Sequence, residues 1–347
     1  MNKAAGPPNP RQPGRIAPVM AGLFLSAAVI LCGTAAGFSF IGFANASVIW
    51  NLRLPRVILA FITGGALGVS GAVFQSVLKN QLASPYIMGV SSGASLGAAL
   101  VMTAGGTAAA GAGYLFRFGA AWLGSLMLPL TGFVFGLGTV FLVILLASRL
   151  DRSLSNNTII LFGMVFSLFV NAILTTMLAL FREELKNLLI WQLGSFALRG
   201  WSSVRLLLPF LVIGLAGIIR YTREMDILSF GEDEARSLGV DARRVRTRLF
   251  FYAALITGAA VALSGVIGFV DLIAPHIARR ITGSNHRALL PMSFFAGGIL
   301  MVLSDLVARI IISPSELPVG AVTALIGAPF FAWVYFRRAP AKRRRPR

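Results

Sequence analysis

The chain has 347 residues, of which 56% are hydrophobic and 12% charged, and its formal net charge is +19. A positive charge of this size can indicate nucleic-acid binding, but here the Lys and Arg residues lie in short segments between apolar runs and at the C-terminus. The composition therefore argues against a soluble nucleic-acid-binding protein, and no nucleic acid is expected among its partners. It indicates a membrane protein in contact with lipid.

Uncharged, mostly apolar runs follow one another along the chain, as in 57–78, 118–148 and 153–181. Most are as long as the roughly 20 residues that cross a bilayer core. No alternating strand pattern occurs, so helices rather than a barrel are expected to satisfy the backbone in lipid. The prediction is an all-α polytopic membrane protein with about ten transmembrane helices. They are placed near 17–38, 55–78, 88–104, 119–147, 157–181, 203–220, 249–264, 270–283, 288–311 and 318–336.

The distribution of basic residues predicts the topology. With ten spans and a cytoplasmic N-terminus, the inside segments hold 23 Lys or Arg residues and the outside segments hold 8. An excess of this kind marks cytoplasmic loops, which places both termini in the cytoplasm. We expect residues 1–15 to be a disordered cytoplasmic lead. The transmembrane domain is predicted at 16–338, followed by a basic tail at 339–347.

The segment 221–248 is the one substantial hydrophilic stretch between spans. It mixes charged and apolar residues around two glycines, which predicts one or two short helices at the inner membrane surface with an apolar side open to a partner. An amphipathic helix resting on lipid is the alternative. The acidic run 232–234 disfavours it, because an anionic leaflet would repel those carboxylates.

Small residues are concentrated in two of the predicted helices. The first group lies within 64–71 and the second, richer in serine, within 89–97. Small side chains let helices approach closely in lipid, which accounts for both groups. The second group follows a Ser-Pro pair at 84–85, a pattern that also suits a helix start or bend lining a water-filled path.

Few ionisable groups are predicted inside the membrane. Asp271 and Asp305 are the two plausible buried carboxylates, and the four-residue spacing from Asp305 to Arg309 favours an ion pair. An ion-coupled secondary carrier, which would bury titrating carboxylates, is the alternative from a different class. The two histidines, His276 and His286, favour structural or surface roles over metal binding, and no catalytic residue or metal site is predicted.

Eight fragments stand out along the chain, from about residue 50 to 336. They are LeuArgLeuProArg (52–56), GlyValSerGlyAlaValPheGln (68–75), AsnGlnLeuAlaSerPro (80–85), MetGlyValSerSerGlyAlaSerLeuGly (88–97), TrpGlnLeuGlySerPhe (191–196), GlyGluAspGluAlaArgSerLeuGlyVal (231–240), LeuIleAlaProHisIleAlaArg (272–279) and the 316–331 stretch that opens GluLeuProValGly. In this order they resemble one family, and the chain looks like a FecCD-type permease of ATP-binding cassette (ABC) importers for iron-siderophores, haem or cobalamin. Two residues depart from the family pattern, Gln81 in place of a common Pro and Asp271 in place of a common Gly.

The resemblance implies a type II ABC importer permease fold in the bacterial plasma (inner) membrane. It further implies a homodimer with a pathway along its two-fold axis, two ATPase subunits and a soluble substrate-binding protein, with membrane lipid around them. No phosphate-binding loop occurs in the sequence, so ATP and Mg²⁺ are expected on the partner ATPase and no cofactor or enzymatic activity in this chain. The implied cargo is a ferric siderophore, with haem or cobalamin as the alternatives.

Three groups of functional residues are predicted, partly from the resemblance and partly from the residues themselves. Asp271 is expected near the outer end of the pathway, either facing it or serving as a helix cap or partner of an arginine. For the arginines, ordinary interfacial anchoring is the alternative to docking. Docking of the binding protein is assigned to Arg53, Arg56 and Arg309. ATPase coupling is assigned to Leu228, Phe230, Gly231, Glu232, Ala235, Arg236, Leu238 and Gly239. Pathway positions are Gln75, Ser91, Ser92, Ser95 and Asp271.

Overall fold

The computed structural model describes residues 16–35, 46–107, 126–151, 154–183 and 185–338. The predicted disordered lead 1–15 and basic tail 339–347 lie outside these residues. Within the described ranges the regular elements are helices, as predicted. They are α1 (Ile16–Ala35), α2 (Ala46–Val77), α3 (Val90–Thr107), α4 (Met127–Leu150), α5 (Asn156–Leu180), α6 (Lys186–Gln192), α7 (Trp201–Arg220), α8 (Thr222–Phe230), α9 (Glu232–Ser237), α10 (Ala242–Ser264), α11 (Val270–Thr282), α12 (His286–Ile310) and α13 (Val319–Arg338).

Each of the ten predicted spans coincides with one of these helices. Among the described residues, α1, α2, α4, α5, α7, α10 and α12 are long and apolar enough to cross a membrane. Two more, α3 and α13, are apolar with shorter hydrophobic stretches. The remaining predicted span, 270–283, coincides with α11, which has only 13 residues and is about 20 Å long.

Helix α2 lies at the centre of the molecule, and 94% of its apolar stretch is buried. It runs antiparallel to α12, and the two backbones touch where small residues face each other. A Cβ added to Gly64 would lie 2.2 Å from the carbonyl oxygen of Gly297. The 64–71 group therefore serves close helix packing. Helices α10 and α11 pack against other faces of α2, and α1 packs on α12.

The start of α3 is bent, as the Ser-Pro pair suggested. Ser84 accepts a hydrogen bond from the backbone N–H of Tyr86 at 3.2 Å and begins a 3-10 turn at Pro85–Met88. Gly89 then takes a left-handed conformation, with φ +81°, before α3 begins at Val90. Helix α3 packs closely against α4, where a Cβ on Gly93 would lie 2.7 Å from the carbonyl oxygen of Phe135.

The segment 221–248 forms two short helices followed by the start of α10. Helix α8 begins directly after α7, and Gly231, with φ +150°, separates it from α9. Gly239, with φ +77°, ends the turn after α9. Asp241 then caps α10 by accepting a hydrogen bond from the backbone N–H of Arg244 at 3.1 Å.

Candidate functional site

Four charged side chains meet at one end of α2, and we call them the Arg56 cluster: Arg56, Asp305, Arg309 and Glu316. The Arg56 guanidinium binds the Asp305 carboxylate at 2.8 Å and the Glu316 carboxylate at 2.7 Å. Arg309 binds the same Asp305 at 3.2 Å. Only 1% of the Asp305 side chain is exposed, so its charge is neutralised inside the protein by two arginines.

A depression of 440 Å³ opens beside the Arg56 cluster. Arg53 and Arg199 line it together with members of the cluster, and Arg53 also donates a hydrogen bond to the carbonyl oxygen of Ala35 at 3.2 Å. Burial lowers the pKa of the Arg199 guanidinium, and the hydrogen bond from Arg56 lowers the pKa of the Glu316 carboxyl. The depression therefore presents several cations and one partly exposed carboxylate.

The structure brings the three arginines predicted for docking to one place, but it gives Arg56 two internal partners. That it receives an acidic side chain from another protein stays a prediction, and Arg56 could do so only by sharing or leaving Glu316. Sequence reasoning missed Arg199 as a neighbour of this group. Arg199 follows a short helix, and no periodic pattern in the sequence indicates that it lies beside residue 53.

A second polar group, the His286 cluster, lies at the opposite end of α2 and consists of Ser76, Asp226 and His286. The imidazole Nδ1 lies 2.6 Å from the Asp226 carboxylate, and its Nε2 contacts the Ser76 hydroxyl. Asp226 also accepts a hydrogen bond from the backbone N–H of His286 at 3.1 Å. The cluster therefore joins α8 to both α2 and α12 through one buried side chain.

The two clusters are about a bilayer core apart. Arg56 and Ser76 are separated by twenty residues of α2. At the rise of an α-helix this is about 30 Å. The apolar, glycine-rich part of α2 lies between them. Sequence reasoning recognised the His286 position as structural but missed this cluster, because its members come from three distant segments.

The segment predicted for ATPase coupling separates into buried and exposed residues. Phe230 and Leu238 are 78% and 67% exposed and provide an apolar surface, as predicted. Leu228 and Ala235 were predicted to contribute to that contact, but they are 6% and 0% exposed. That part of the prediction is wrong, because both side chains pack into the protein's own core.

The charged residues of this segment also have different contacts. Glu232 forms an ion pair with the buried Arg246 and thereby fixes α9 against the start of α10. Arg236 and Gly239 line a cleft of 470 Å³ between α9 and α10. Outside the long spans, the region of α8 and α9 therefore combines the exposed apolar pair, the acidic first turn of α9 and this cleft.

Four of the five pathway positions are buried in the chain: Gln75, Ser92, Ser95 and Asp271. Ser92 is 6% exposed and donates to the carbonyl oxygen of Gly89 at 3.1 Å, and Ser95 is 3% exposed. Gln75 is also 3% exposed and accepts a hydrogen bond from Arg279 at 3.1 Å. Ser91 alone of the α3 serines is partly exposed. Their role in a pathway stays a prediction.

Asp271 lies far from the Arg56 cluster, contrary to the expectation that it sits near the outer end. Its backbone packs on Gly71, where an added Cβ would lie 1.7 Å from the Asp271 carbonyl oxygen. That contact is five residues of α2 from Ser76, or about 8 Å. The non-helical segment 265–269, in which Gly265 and Phe269 have φ of +79° and +69°, separates the end of α10 from this contact.

The Asp271 side chain is 1% exposed and accepts a hydrogen bond from the Ser84 hydroxyl. It lies in the first turn of α11, where the helix dipole favours an anion. The geometry is that of a carboxylate at a helix N-terminus. Whether it faces a pathway in an assembled complex stays a prediction.

Several helices are long enough to cross a bilayer, and the Arg56 and His286 clusters lie about 30 Å apart along the buried helix α2. Together with the short helix α11, these features define a polytopic membrane protein of the transporter type. The family model described as the FecCD transport family matches residues 17–337. The chain belongs to this family of ABC importer permeases.

Relatives and a solved structure agree with this assignment. The Fe(3+) dicitrate transport system permease protein FecD of Escherichia coli is 37% identical over 84% of this chain and 85% of its own. The cobalamin import system permease protein BtuC of Halobacterium salinarum is 36% identical over 83% of this chain and 73% of its own. An inward-facing metal-chelate type ABC transporter matches with a TM-score of 0.80 and 29% identity, over 92% of this chain and 98% of that structure.

Proposed function

We propose that this chain is the membrane subunit of an importer for ferric siderophores, driven by a separate ATPase. Two copies form the pathway, both termini face the cytoplasm, and a soluble binding protein delivers the cargo on the opposite side. Haem and cobalamin are the alternative cargoes. The resemblance and the ferric dicitrate relative support an iron complex, whereas the cobalamin relative keeps the alternative open.

The observation that carries the proposal is the exposed pair Phe230, the last residue of α8, and Leu238, the residue that follows α9. Large apolar side chains that project from short helices beside acidic residues suit a protein partner better than an anionic membrane surface. The His286 cluster then gives the partner a mechanical connection, because Asp226 of α8 bonds to the first residue of α12. Hydrolysis in the partner would shift packing between two arrangements of the helices.

The same geometry disfavours an ion-coupled carrier. Coupling to protons or sodium needs a carboxylate that can change its charge during the cycle. Asp305 is already bound by two arginines at 2.8 and 3.2 Å, so it is engaged in a structural ion pair. Asp271 is buried against Ser84 and the backbone of α2.

Reconstitution with a co-purified ABC ATPase in proteoliposomes tests the proposal. Ferric hydroxamate, ferric catecholate, ferric citrate, haemin and cobalamin would each be supplied with the cognate binding protein. We expect uptake of a ferric siderophore that requires ATP and persists when ionophores remove proton and sodium gradients. Uptake that ignores ATP and stops with ionophore would overturn the transport mechanism, and uptake of cobalamin or haemin alone would overturn the cargo.

Docking of the binding protein has its own test in the 440 Å³ depression. Arg53→Glu is the better substitution, because Arg56→Glu would place three carboxylates around Arg309 and disturb the fold. We expect Arg53→Glu to weaken receptor binding and a reciprocal acidic-to-basic change on the receptor to restore it. Arg287→Glu, at the other end of the molecule, is the control. Equal receptor affinity in both variants would leave interfacial anchoring as the role of Arg53.

A further inference from the structure

A groove of 780 Å³ lies between α4 and α10, away from both polar clusters of α2. Its volume is within the range of ~300–1,000 Å³ typical of small-molecule sites. On α10 the lining residues include Arg243, Thr247 and Phe251, which are spaced by four and therefore share one face. The remaining walls are mostly apolar side chains of α4, together with Arg248 and Tyr252.

The groove is polar at one end and apolar along the rest of its length. Ser148, near the end of α4, lies at the same end as Arg243, near the start of α10. From there the α4 wall continues through Leu145, Phe141 and Val134. Ser148 and Val134 are fourteen residues apart, or about 21 Å. The groove therefore extends from a helix end, where the membrane surface would lie, past the depth of one leaflet.

The basic end of the groove holds two arginines. Arg248 donates a hydrogen bond to the Tyr221 hydroxyl at 2.7 Å, and its guanidinium carbon is 5.8 Å from the centre of the Tyr221 ring. These contacts fix its orientation without neutralising its charge. In the parts of the chain that the structure describes, neither Arg243 nor Arg248 forms an ion pair with a carboxylate, whereas Arg244 and Arg246 between them both do.

We propose that this groove is a binding site for one anionic phospholipid. The phosphodiester is bound by Arg243 and Arg248, whose planar guanidinium groups match phosphate oxygens. The hydroxyls of Thr247 and Ser148 lie beside that position, and an acyl chain occupies the apolar length of the groove. Basic pockets between transmembrane helices on the cytoplasmic side favour anionic headgroups. A zwitterionic lipid carries the same phosphodiester, but the two arginines repel its ammonium group.

Gly138 makes the groove deep enough for a chain. It is the position on the α4 wall where an added Cβ would meet nothing within 4 Å, so a larger side chain would enter the groove without moving the backbone. Leucine also has a higher helix propensity than glycine. Gly138→Leu is therefore a substitution that fills the lipid site and leaves the fold intact.

The test uses the full chain purified in a neutral detergent. Native mass spectrometry would count bound phosphatidylglycerol and phosphatidylcholine of identical acyl chains across a titration. We expect phosphatidylglycerol to be retained at about tenfold lower concentration, and both Gly138→Leu and Arg243→Gln to remove that preference. Arg244→Gln, an exposed neighbour already paired with Asp241, is the matched control and should change nothing.

Each alternative occupant of the groove would give a different experimental result. Equal retention of the two lipids in the unmodified chain would mean ordinary annular lipid and overturn the proposal. Displacement by millimolar inorganic phosphate with no effect of Gly138→Leu would indicate a simple anion site and overturn it as well. A change in oligomeric state with Gly138→Leu would assign the groove to a second copy of the chain. If Gly138→Leu fails to fold, the comparison of Arg243→Gln with Arg244→Gln decides alone.

Discussion

Replacement of Asp305 by asparagine tests how much the Arg56 cluster contributes to the fold. The side chain is 1% exposed and binds two arginines that are 12% and 9% exposed. Asparagine preserves the shape but removes the charge between two cations. Loss of one partner of a buried ion pair costs ~3–5 kcal/mol. Because Arg56 keeps Glu316 at 2.7 Å, only Arg309 loses its carboxylate, and we expect the lower value, about 3 kcal/mol.

The free energy of unfolding in mixed micelles measures this loss. Asp241→Asn is the matched control, because its side chain is 50% exposed, its pair with Arg244 is worth ~0.2–1 kcal/mol, and asparagine keeps the cap of α10. We also expect the double variant Asp305→Asn with Arg309→Gln to be more stable than Asp305→Asn alone, since it also removes the buried cation that Asp305 binds. Equal losses in Asp305→Asn and Asp241→Asn would refute the reasoning.

Four further predictions follow from single positions. The hydrogen bond from Arg56 lowers the folded-state pKa of Glu316, so the stability advantage over Glu316→Gln should be present at neutral pH and vanish as the pH falls below the ordinary glutamate range; a pH-independent difference would contradict this. Gly239→Trp should abolish ATPase co-purification or coupled uptake because φ is +77°, whereas Gly239→Asn, which tolerates that conformation, should retain both. Asp226→Asn should lower ATP-dependent uptake more than ATPase binding, measured on the same preparation, and a proportional loss of both would argue against transmission through this residue. Asp271→Gly should lower thermal stability through loss of the bond to Ser84, and a changed cargo preference in uptake assays would instead support a pathway role.

The positions of the helices could be predicted because each depends on a local pattern. A run of uncharged residues marks a helix in lipid wherever it packs, and the pair Asp305 with Arg309 follows from the spacing of four on one helix. The pairing of Arg56 with the same aspartate joins residues 249 apart in sequence. Such a contact depends on how α2 and α12 pack, which no local pattern encodes.

Two other differences between the sequence predictions and the structure also arise from long-range packing. Helix α9 has six residues, too few turns for its composition to decide which side is buried, and so Ala235 could not be distinguished from an exposed contact residue. The apolar run around Asp271 resembles a complete span, because amino-acid composition does not show where the chain changes direction. The non-helical segment 265–269 separates α10 from α11, and α11 begins where the backbone of Asp271 packs against Gly71.

The burial of α2 has a consequence for the order of membrane assembly. During synthesis α2 enters the bilayer as one of the most apolar segments of the chain, yet in the finished protein 94% of that stretch contacts other helices instead of lipid. Its principal neighbour, α12, begins more than 200 residues later. At ~5–20 residues per second, the glycine face of α2 waits roughly 10–40 s for its partner. The glycine face of α2 that packs on α12 therefore has other neighbours until α12 has been inserted, and the close backbone contact between the two helices forms late in assembly.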